Sequence, residues 1–369
     1  FVSKISEIII PIGVSYFTLQ GIGYLINVKM GWEKPESKFS DLLLYLAFFP
    51  KFLSGPIERS NHFLPQIKKK VSLNESQVVT GLRIALIGFF KKVAIANQLA
   101  PFVSITFSNL NAADGFAPLL LLLLLPTYLY FDFSGYTDIA IGIAKMFGID
   151  LLPNFNRPFF SQNVTTFWKR FHISLASWFG DYVFRQIVFK RRKWGIRASV
   201  YAVFITWVLF GIWHGAGWNF MLLGLLQAIA INYEFYTKKW RSKLFAGMPG
   251  YVRVWFGRIV TYLFYGVSLV FFFSPDIHTT FLFFSNLADF SQIQVTLSKR
   301  ETAFLFVCLT GIVVFFLIEL IQTDFKETYQ RLARFWSGDR TEHKLFRWAI
   351  YYFLITMILI TGSREQEFI

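Results

Sequence analysis

The sequence contains little cysteine and few charged residues. Among its 369 residues there is one cysteine, Cys308, which excludes an internal disulfide or a thiolate metal site. Charged residues make up only 16% of the chain, against about 25% in typical soluble domains. Acidic residues are scarcer than basic ones, since there are 22 Asp and Glu against 37 Lys and Arg. The formal net charge is therefore +15. These shortages argue against a disordered chain, a coiled coil or an ordinary cytosolic enzyme.

The common signatures of soluble catalysts are absent as well. The sequence has no phosphate-binding GxxxxGK[ST] loop, no HExxH, no paired CxxC and no GxSxG nucleophile elbow. Its histidines are scattered through the chain, at His62, His172, His214, His278 and His343. We therefore expect no metal site and no bound cofactor.

Apolar residues are abundant, at 54% of the chain with 46 phenylalanines, and the mean hydropathy is +0.47. A bilayer span needs about 20 mostly apolar residues. Stretches free of charged side chains, read as candidate spans, occupy 8–28, 93–113, 115–131, 198–233, 259–275, 302–318 and 348–363. A shorter run, 42–50, is too short to cross and predicts a re-entrant or interfacial piece. The pattern predicts an all-α, polytopic transmembrane helical bundle.

Two further segments are amphipathic, with basic residues between apolar ones. They are 76–97, and 164–189, in which the apolar residues recur near helical spacing. Such helices lie in the membrane interface or dock on the bundle. We find no internal repeat and no low-complexity linker, so a single domain covering 1–369 is expected. Because the chain begins at Phe1 rather than Met and ends abruptly, we interpret it as trimmed at both ends.

Basic clusters fall between the apolar stretches, at 29–38, 51–70, 185–197, 238–258 and 326–347. On a soluble chain this charge would suggest nucleic-acid binding. Here its placement follows the positive-inside rule, which puts these clusters in the cytoplasm and the loop 276–301 outside. We therefore expect membrane lipids as partners and no nucleic acid.

The stretch 198–233 lies between two basic clusters, so it should cross the membrane an even number of times. Two crossings of about 18 residues are barely long enough, and the glycine-rich sequence at 211–217 predicts the break. His214 lies inside that break. Ionisable groups within membrane segments are functional by default, and an imidazole can take a proton from a hydroxyl. The alternative is a structural histidine bonded between helices.

A second histidine, His172, follows Trp168 by four residues in FWKRFHISL, which predicts a shared helical face. It would orient or assist a catalytic group, or else lie at the interface among Lys169 and Arg170. Two carboxylates, Asp132 and Asp138, follow a strong apolar span. They would bind a cation, position a sugar hydroxyl, or pair structurally with nearby basic residues, of which we considered Lys145, Arg157 and Arg170.

Two long runs carry a family resemblance. The first is FDFSGYTDIAIGIAKMFGIDLLPNFNRPFFSQNVTTFWKRFHISLASWFGDYVF, and the second is FGIWHGAGWNFMLLGLLQAI. Together with IPIGVSYFTLQGIGYLINV and LAFFPKFLSGPIERSNHFLPQ, they resemble the bacterial membrane-bound O-acyltransferases. The resemblance is greatest to alginate O-acetylation membrane proteins and peptidoglycan O-acetyltransferases. It covers about residues 8–236.

The resemblance implies a fold and a chemistry. The fold would be a ring of helices around a funnel, with re-entrant and interfacial pieces, in a multi-pass protein of the bacterial inner membrane. The family's catalytic histidine, in a Trp-His-Gly motif, falls on His214, and its second histidine falls on His172. Extracytoplasmic acyl-accepting or esterase-like proteins are the implied partners. The residues predicted to act are His214 and His172 as catalytic groups, with Asp132, Asp138, Trp213 and Asn219 binding substrate.

The sequence thus predicts an integral-membrane acyltransferase that moves a small acyl group, acetyl by preference, toward hydroxyls of an extracytoplasmic polysaccharide. The donor would be acetyl-CoA or another acyl thioester. Backbone N–H groups at the glycine break, or Asn219, would stabilise the oxyanion. Two alternatives stay open: a transporter or flippase for a polysaccharide or lipid-linked precursor, and a family member that acylates a lipid or teichoic-acid carrier.

Overall fold

The computed structural model describes residues 13–69, 74–110, 115–287 and 299–362, with side chains from residue 308 onward in the last range. Within these ranges the regular structure is helical, apart from one isolated antiparallel bridge between Phe155 and Phe171. This confirms the predicted all-α class.

The helices differ widely in length, from short pieces to one of 31 residues. They are α1 Val14–Lys29, α2 Phe39–Ala47, α3 Ser60–Ile67, α4 Glu75–Phe89, α5 Asn97–Ser108, α6 Phe116–Met146, α7 Val164–Trp168, α8 Ile173–Phe179, α9 Arg185–Lys190, α10 Ile196–His214, α11 Trp218–Leu244, α12 Gly250–Phe273, α13 Ile277–Asn286, α14 Lys299–Asp324, α15 Lys326–Ser337 and α16 Thr341–Thr361. Two π-helical segments, Phe90–Ala96 and Gly180–Phe184, connect α4 to α5 and α8 to α9.

Among the residues that the structure describes, four helices, α6, α10, α12 and α16, are long and apolar enough to cross a bilayer. A fifth candidate is the pair formed by Cys308–Asp324 and Lys326–Ser337, which pass the same test only together and are bent by 116° where they meet. These helices contain most of the predicted stretches 115–131, 259–275 and 348–363. The stretch 8–28 is described only from residue 13, where α1 follows. The short run 42–50 forms α2 and a turn and is no candidate span, as predicted.

The segment 76–97 docks on the bundle, the second of the two expected arrangements. It forms α4 and the following π segment, and α4 packs along α6. Glycines permit the close approach: a Cβ on Gly81 would lie 2.5 Å from the carbonyl oxygen of Gly142, and one on Gly88 would lie 2.7 Å from that of Gly135. Small residues at a crossing let two backbones approach in this way.

The segment 164–189 is helical as predicted from Ile173 onward, where α8, the π segment and α9 follow one another without a break, but it is not a single helix because residues 169–172 interrupt it. Helix α7 ends at Trp168, and α8 begins after His172. Between them, residues 170–173 pair with residues 154–156: Asn156 donates its N–H to the carbonyl of Arg170 (2.9 Å), and Ile173 donates to that of Asn154 (3.0 Å). This long-range backbone pairing replaces the helical hydrogen bonds at that point. His172 and Trp168 therefore do not share a helical face.

The predicted interruption of 198–233 is present. Helix α10 ends at His214 and α11 begins at Trp218, with glycines 215 and 217 between them. The two helices pack tightly, since a Cβ on Gly211 would lie 2.1 Å from the carbonyl oxygen of Phe220 and one on Gly224 would lie 2.2 Å from that of Trp207. This close helical hairpin fixes the position of His214 in the bundle.

Candidate functional site

A chamber of about 720 Å³ lies among α1, α6, α10, α11 and α12 and the segment before α8. Its volume is within the range of about 300–1,000 Å³ that small-molecule sites occupy. Four of the predicted residues line it: His214, His172, Trp213 and Asp132. The structure therefore brings together both histidines, which are 42 positions apart in the sequence.

His214 occupies the last position of α10, where the helix stops at the glycine break. Its imidazole is packed among aromatic rings, with ring centroids 5.0 Å from Phe210, 4.7 Å from Trp213 and 5.2 Å from Phe272. These apolar neighbours limit the water around the imidazole, so polar interactions made inside the chamber are stronger than in bulk solvent.

His172 is 4% exposed and has a left-handed backbone conformation, with φ of 46°. The ring of Phe133 meets it edge to face at 4.6 Å between centroids. Among the described residues, its Nε2 atom has no hydrogen-bond partner. A buried polar atom without a partner needs an explanation, and a substrate group in the chamber would supply one. The alternative of an interfacial histidine does not fit this burial.

Trp213 contacts both histidines, and Tyr16 packs against His172 and Trp213. The Tyr16 ring lies 6.4 Å from His172 and 6.0 Å from Trp213, between centroids. Trp213 in turn lies 6.5 Å from His172 and is the neighbour of His214 in the chain. The two imidazoles are thus joined by a short aromatic contact path.

Asp132 and Asp138 are both paired, but with different partners from the ones we considered. Asp132 accepts a hydrogen bond from the Lys92 ammonium, and Asp138 accepts one from Lys91 at 2.6 Å. Both lysines belong to the π segment Phe90–Ala96. Charged groups at membrane depth are typically paired in this manner.

Two of the basic residues that were possible partners of these carboxylates make other contacts. Lys145 pairs with Asp150, and Arg157 donates to the carbonyl of Gln322 at 2.9 Å. Asp138 lines a separate polar cavity of about 370 Å³, together with Lys91, Tyr130 and Glu319. The structure therefore places Asp132 with the histidines and Asp138 outside the chamber.

Asn219 is 1% exposed and does not belong to the chamber lining. Its amide N–H groups donate to the carbonyls of Phe271 (3.1 Å) and Ser274 (2.8 Å). These bonds tie the start of α11 to the end of α12. In this geometry the side-chain donors of Asn219 are already used, which favours a structural role over oxyanion stabilisation.

Several polar residues of the chamber were not predicted from the sequence, among them Lys92, Tyr16, Ser54 and Tyr136. For Lys92 a signal existed: two adjacent lysines, Lys91 and Lys92, interrupt an apolar segment and match two aspartates further along the chain. The hydroxyl groups carried no such signal, because only the tertiary fold brings α1 and the residue 53–54 turn against α6.

The fold and the site together define a class of protein, namely a polytopic helical membrane protein with a histidine-lined chamber. The chain belongs to the membrane-bound O-acyltransferase family, whose model matches residues 36–275. The family and its named relatives are acyltransferases.

Three relatives illustrate the similarity. The peptidoglycan O-acetyltransferase of Helicobacter pylori is 32% identical over 81% of this chain and 61% of its own length. The teichoic acid D-alanyltransferase of Bacillus subtilis is 32% identical over 63% of this chain and 60% of its own. The probable alginate O-acetylase of Azotobacter vinelandii is 35% identical over 60% of this chain and 43% of its own. The matched part of the chain thus spans from 43% to 61% of these relatives.

Proposed function

We propose that the protein is a membrane acyltransferase that moves an acetyl group from a thioester donor to a hydroxyl of an extracytoplasmic polysaccharide. Membership in the O-acyltransferase family supports the reaction class, and two O-acetylating relatives support the acetyl group. The observation that carries the proposal is the chamber that contains His214 and His172 together.

In this proposal His214 is the general base. It takes the proton from the acceptor hydroxyl while the oxygen attacks the carbonyl carbon of the thioester. The new C–O bond forms, the C–S bond breaks, and the imidazolium returns the proton to the leaving thiolate. A positioned base of this kind contributes about 10²–10⁴-fold to the rate.

His172 orients the reacting groups or relays a proton, since its unpartnered Nε2 atom is free for a hydrogen bond. With Asn219 engaged elsewhere, the developing oxyanion needs other donors. The Lys92 ammonium and the hydroxyl groups of Tyr16 and Tyr136 line the chamber and can serve. Trp213 and Asp132 line the space that the substrate would occupy.

The donor in this proposal is acetyl-CoA or another acyl thioester, and the protein works with extracytoplasmic acyl-accepting or esterase-like partners. It crosses the inner membrane of a bacterium several times, with the basic helix ends in the cytoplasm. The candidate spanning helices and the placement of the basic clusters support this topology.

The test uses the full-length protein in nanodiscs with radiolabelled acetyl-CoA, and with peptidoglycan fragments or alginate oligomers as acceptors. We expect CoA release and label transfer in the wild type, and a rate at least about 10²-fold lower in His214→Ala. His278→Ala is the matched control, because His278 is an exposed residue of α13, and it should retain full activity.

Equal activity in wild type and His214→Ala would refute the assignment of the base. Transfer from a D-alanyl thioester but not from acetyl-CoA would refute the acetyl group while keeping the chemistry. Such an outcome would align the protein with its D-alanyltransferase relative.

A further inference from the structure

A small apolar cavity of about 120 Å³ lies beside the chamber, between α8 and α10. Most of its wall is aromatic or aliphatic, formed by Ala176, Phe179, Phe184, Val203, Trp207 and Phe210. This cavity, called the side pocket below, has the character of a site for a hydrocarbon group. A water molecule occupies about 30 Å³, and a methylene group is of similar size. The side pocket therefore has room for a chain of about four carbons.

Phe210 is the wall between the side pocket and the chamber, because it lines both. It lies one helical turn before His214, and the two rings are 5.0 Å apart between centroids. Its other neighbours are Trp168 at 5.2 Å, which lines the chamber, and Phe179 at 5.6 Å, which lines the side pocket. Phe210 itself is 3% exposed. One ring therefore separates an apolar space from the candidate catalytic histidine.

We propose that Phe210 restricts the enzyme to short acyl donors by closing the side pocket off from His214. An acyl group on a thioester beside His214 would direct its chain against the surrounding aromatic wall. With Phe210 in place, a chain longer than acetyl meets the ring. Without it, the chain extends into the side pocket and buries its methylene groups there. The inference rests on the proposed function and adds the residue that determines its acyl specificity.

Binding of non-reactive donors tests the proposal without the need for an acceptor. The probes are S-ethyl-CoA and S-hexyl-CoA, thioethers that resemble a short and a long acyl donor, titrated onto the full-length protein in nanodiscs. We expect the wild type to prefer the ethyl compound. In Phe210→Ala the ratio of the two dissociation constants should shift by at least tenfold toward the hexyl compound, because each buried methylene strengthens binding about fourfold.

Two further variants distinguish the effect of removing Phe210 from the effect of changing the volume of the side pocket. Phe179→Ala enlarges the same pocket by removing a different part of its wall but leaves Phe210 in place, so it should keep the wild-type preference. In the double variant Phe210→Ala/Val203→Phe, the new ring refills the pocket, and the preference should return to the ethyl compound. If Phe210→Ala does not fold, Phe210→Leu with S-butyl-CoA provides a milder version of the same test.

The outcomes distinguish the inference from the proposed function. If the wild type binds S-ethyl-CoA and the folded Phe210 variants show the wild-type ratio, the role of Phe210 is refuted and the proposed function stands. If the same shift appears in Phe179→Ala, the pocket is already open to the donor and the wall is refuted. If the wild type binds neither probe, the CoA donor fails, and the inference that rests on it fails too.

Discussion

His172 is held in an unfavourable backbone conformation by its neighbours in space. A left-handed conformation in a non-glycine residue costs about 1–3 kcal/mol and persists only where the surroundings determine it. Here the determinant is Asn154, which is 1% exposed. Its side-chain oxygen accepts the N–H of Ser174 at 3.2 Å, and its carbonyl accepts the N–H of Ile173 at 3.0 Å. Asn154 is therefore a positioning residue for the imidazole.

We predict that Asn154→Ala lowers kcat for acyl transfer about tenfold, which corresponds to a loss of roughly 1.4 kcal/mol of transition-state stabilisation. The reason is that the first turn of α8 loses the bond that orients His172. KM should change little. Asn154→Asp keeps the accepting oxygen and should recover most of the activity in a steady-state transfer assay.

Asn163→Ala is the control for this prediction. Asn163 also accepts one backbone N–H, that of Thr166 at 2.8 Å, but it caps α7 instead of α8. Loss of this helix cap should lower the free energy of unfolding by about 1 kcal/mol and leave kcat unchanged. Equal losses of kcat in the two alanine variants would contradict a specific role for Asn154.

The contact between α4 and α6 connects helix packing to the chamber. Four glycines lie in it, Gly81 and Gly88 on α4 with Gly142 and Gly135 on α6. A Cβ on Gly135 would come within 2.8 Å of the Lys92 backbone nitrogen. The packing of these helices therefore sets where the π segment holds Lys92, and so where its charge meets Asp132 in the chamber.

We predict that Gly135→Ala destabilises the protein by about 1–3 kcal/mol, the typical cost of an overpacked contact, and also lowers transfer activity. Thermal unfolding in detergent and the acetyl-transfer assay measure the two effects. Gly21→Ala is the matched control, because its added Cβ would meet Leu46 at an ordinary 3.9 Å. A Gly135→Ala protein as stable and as active as the control would refute the coupling.

How much the sequence predicted depends on whether a feature is local in the chain. The break around His214 was predictable, because glycine content and span length are properties of one stretch. The conformation of His172 was not, since it depends on the pairing of residues 170–173 with 154–156. The partners of Asp132 and Asp138 were missed for the same reason, because Lys92 and Lys91 lie 40 and 47 positions away from them in the sequence. The role of Asn219 likewise depends on carbonyls of another helix.

For the molecule as a whole, the orientation in the membrane decides which side each substrate enters. The link between α11 and α12 and the end of α15 belong to basic clusters, whereas the short α13 follows the opposite end of α12. The positive-inside rule places the first two in the cytoplasm and α13 outside. The native Cys308 is 1% exposed, so engineered cysteines would report with little background.

We therefore predict that Gly247→Cys and Ser337→Cys react with a membrane-impermeant maleimide only after cells are permeabilised, whereas His278→Cys reacts in intact cells. A Cβ on Gly247 meets no atom within 4 Å, and Ser337 and His278 are exposed, so none of these changes should disturb packing. Labelling of all three positions from the same side would refute the crossing by α12. Labelling of residues 247 and 337 from outside would refute the proposed orientation, in which the basic helix ends lie in the cytoplasm.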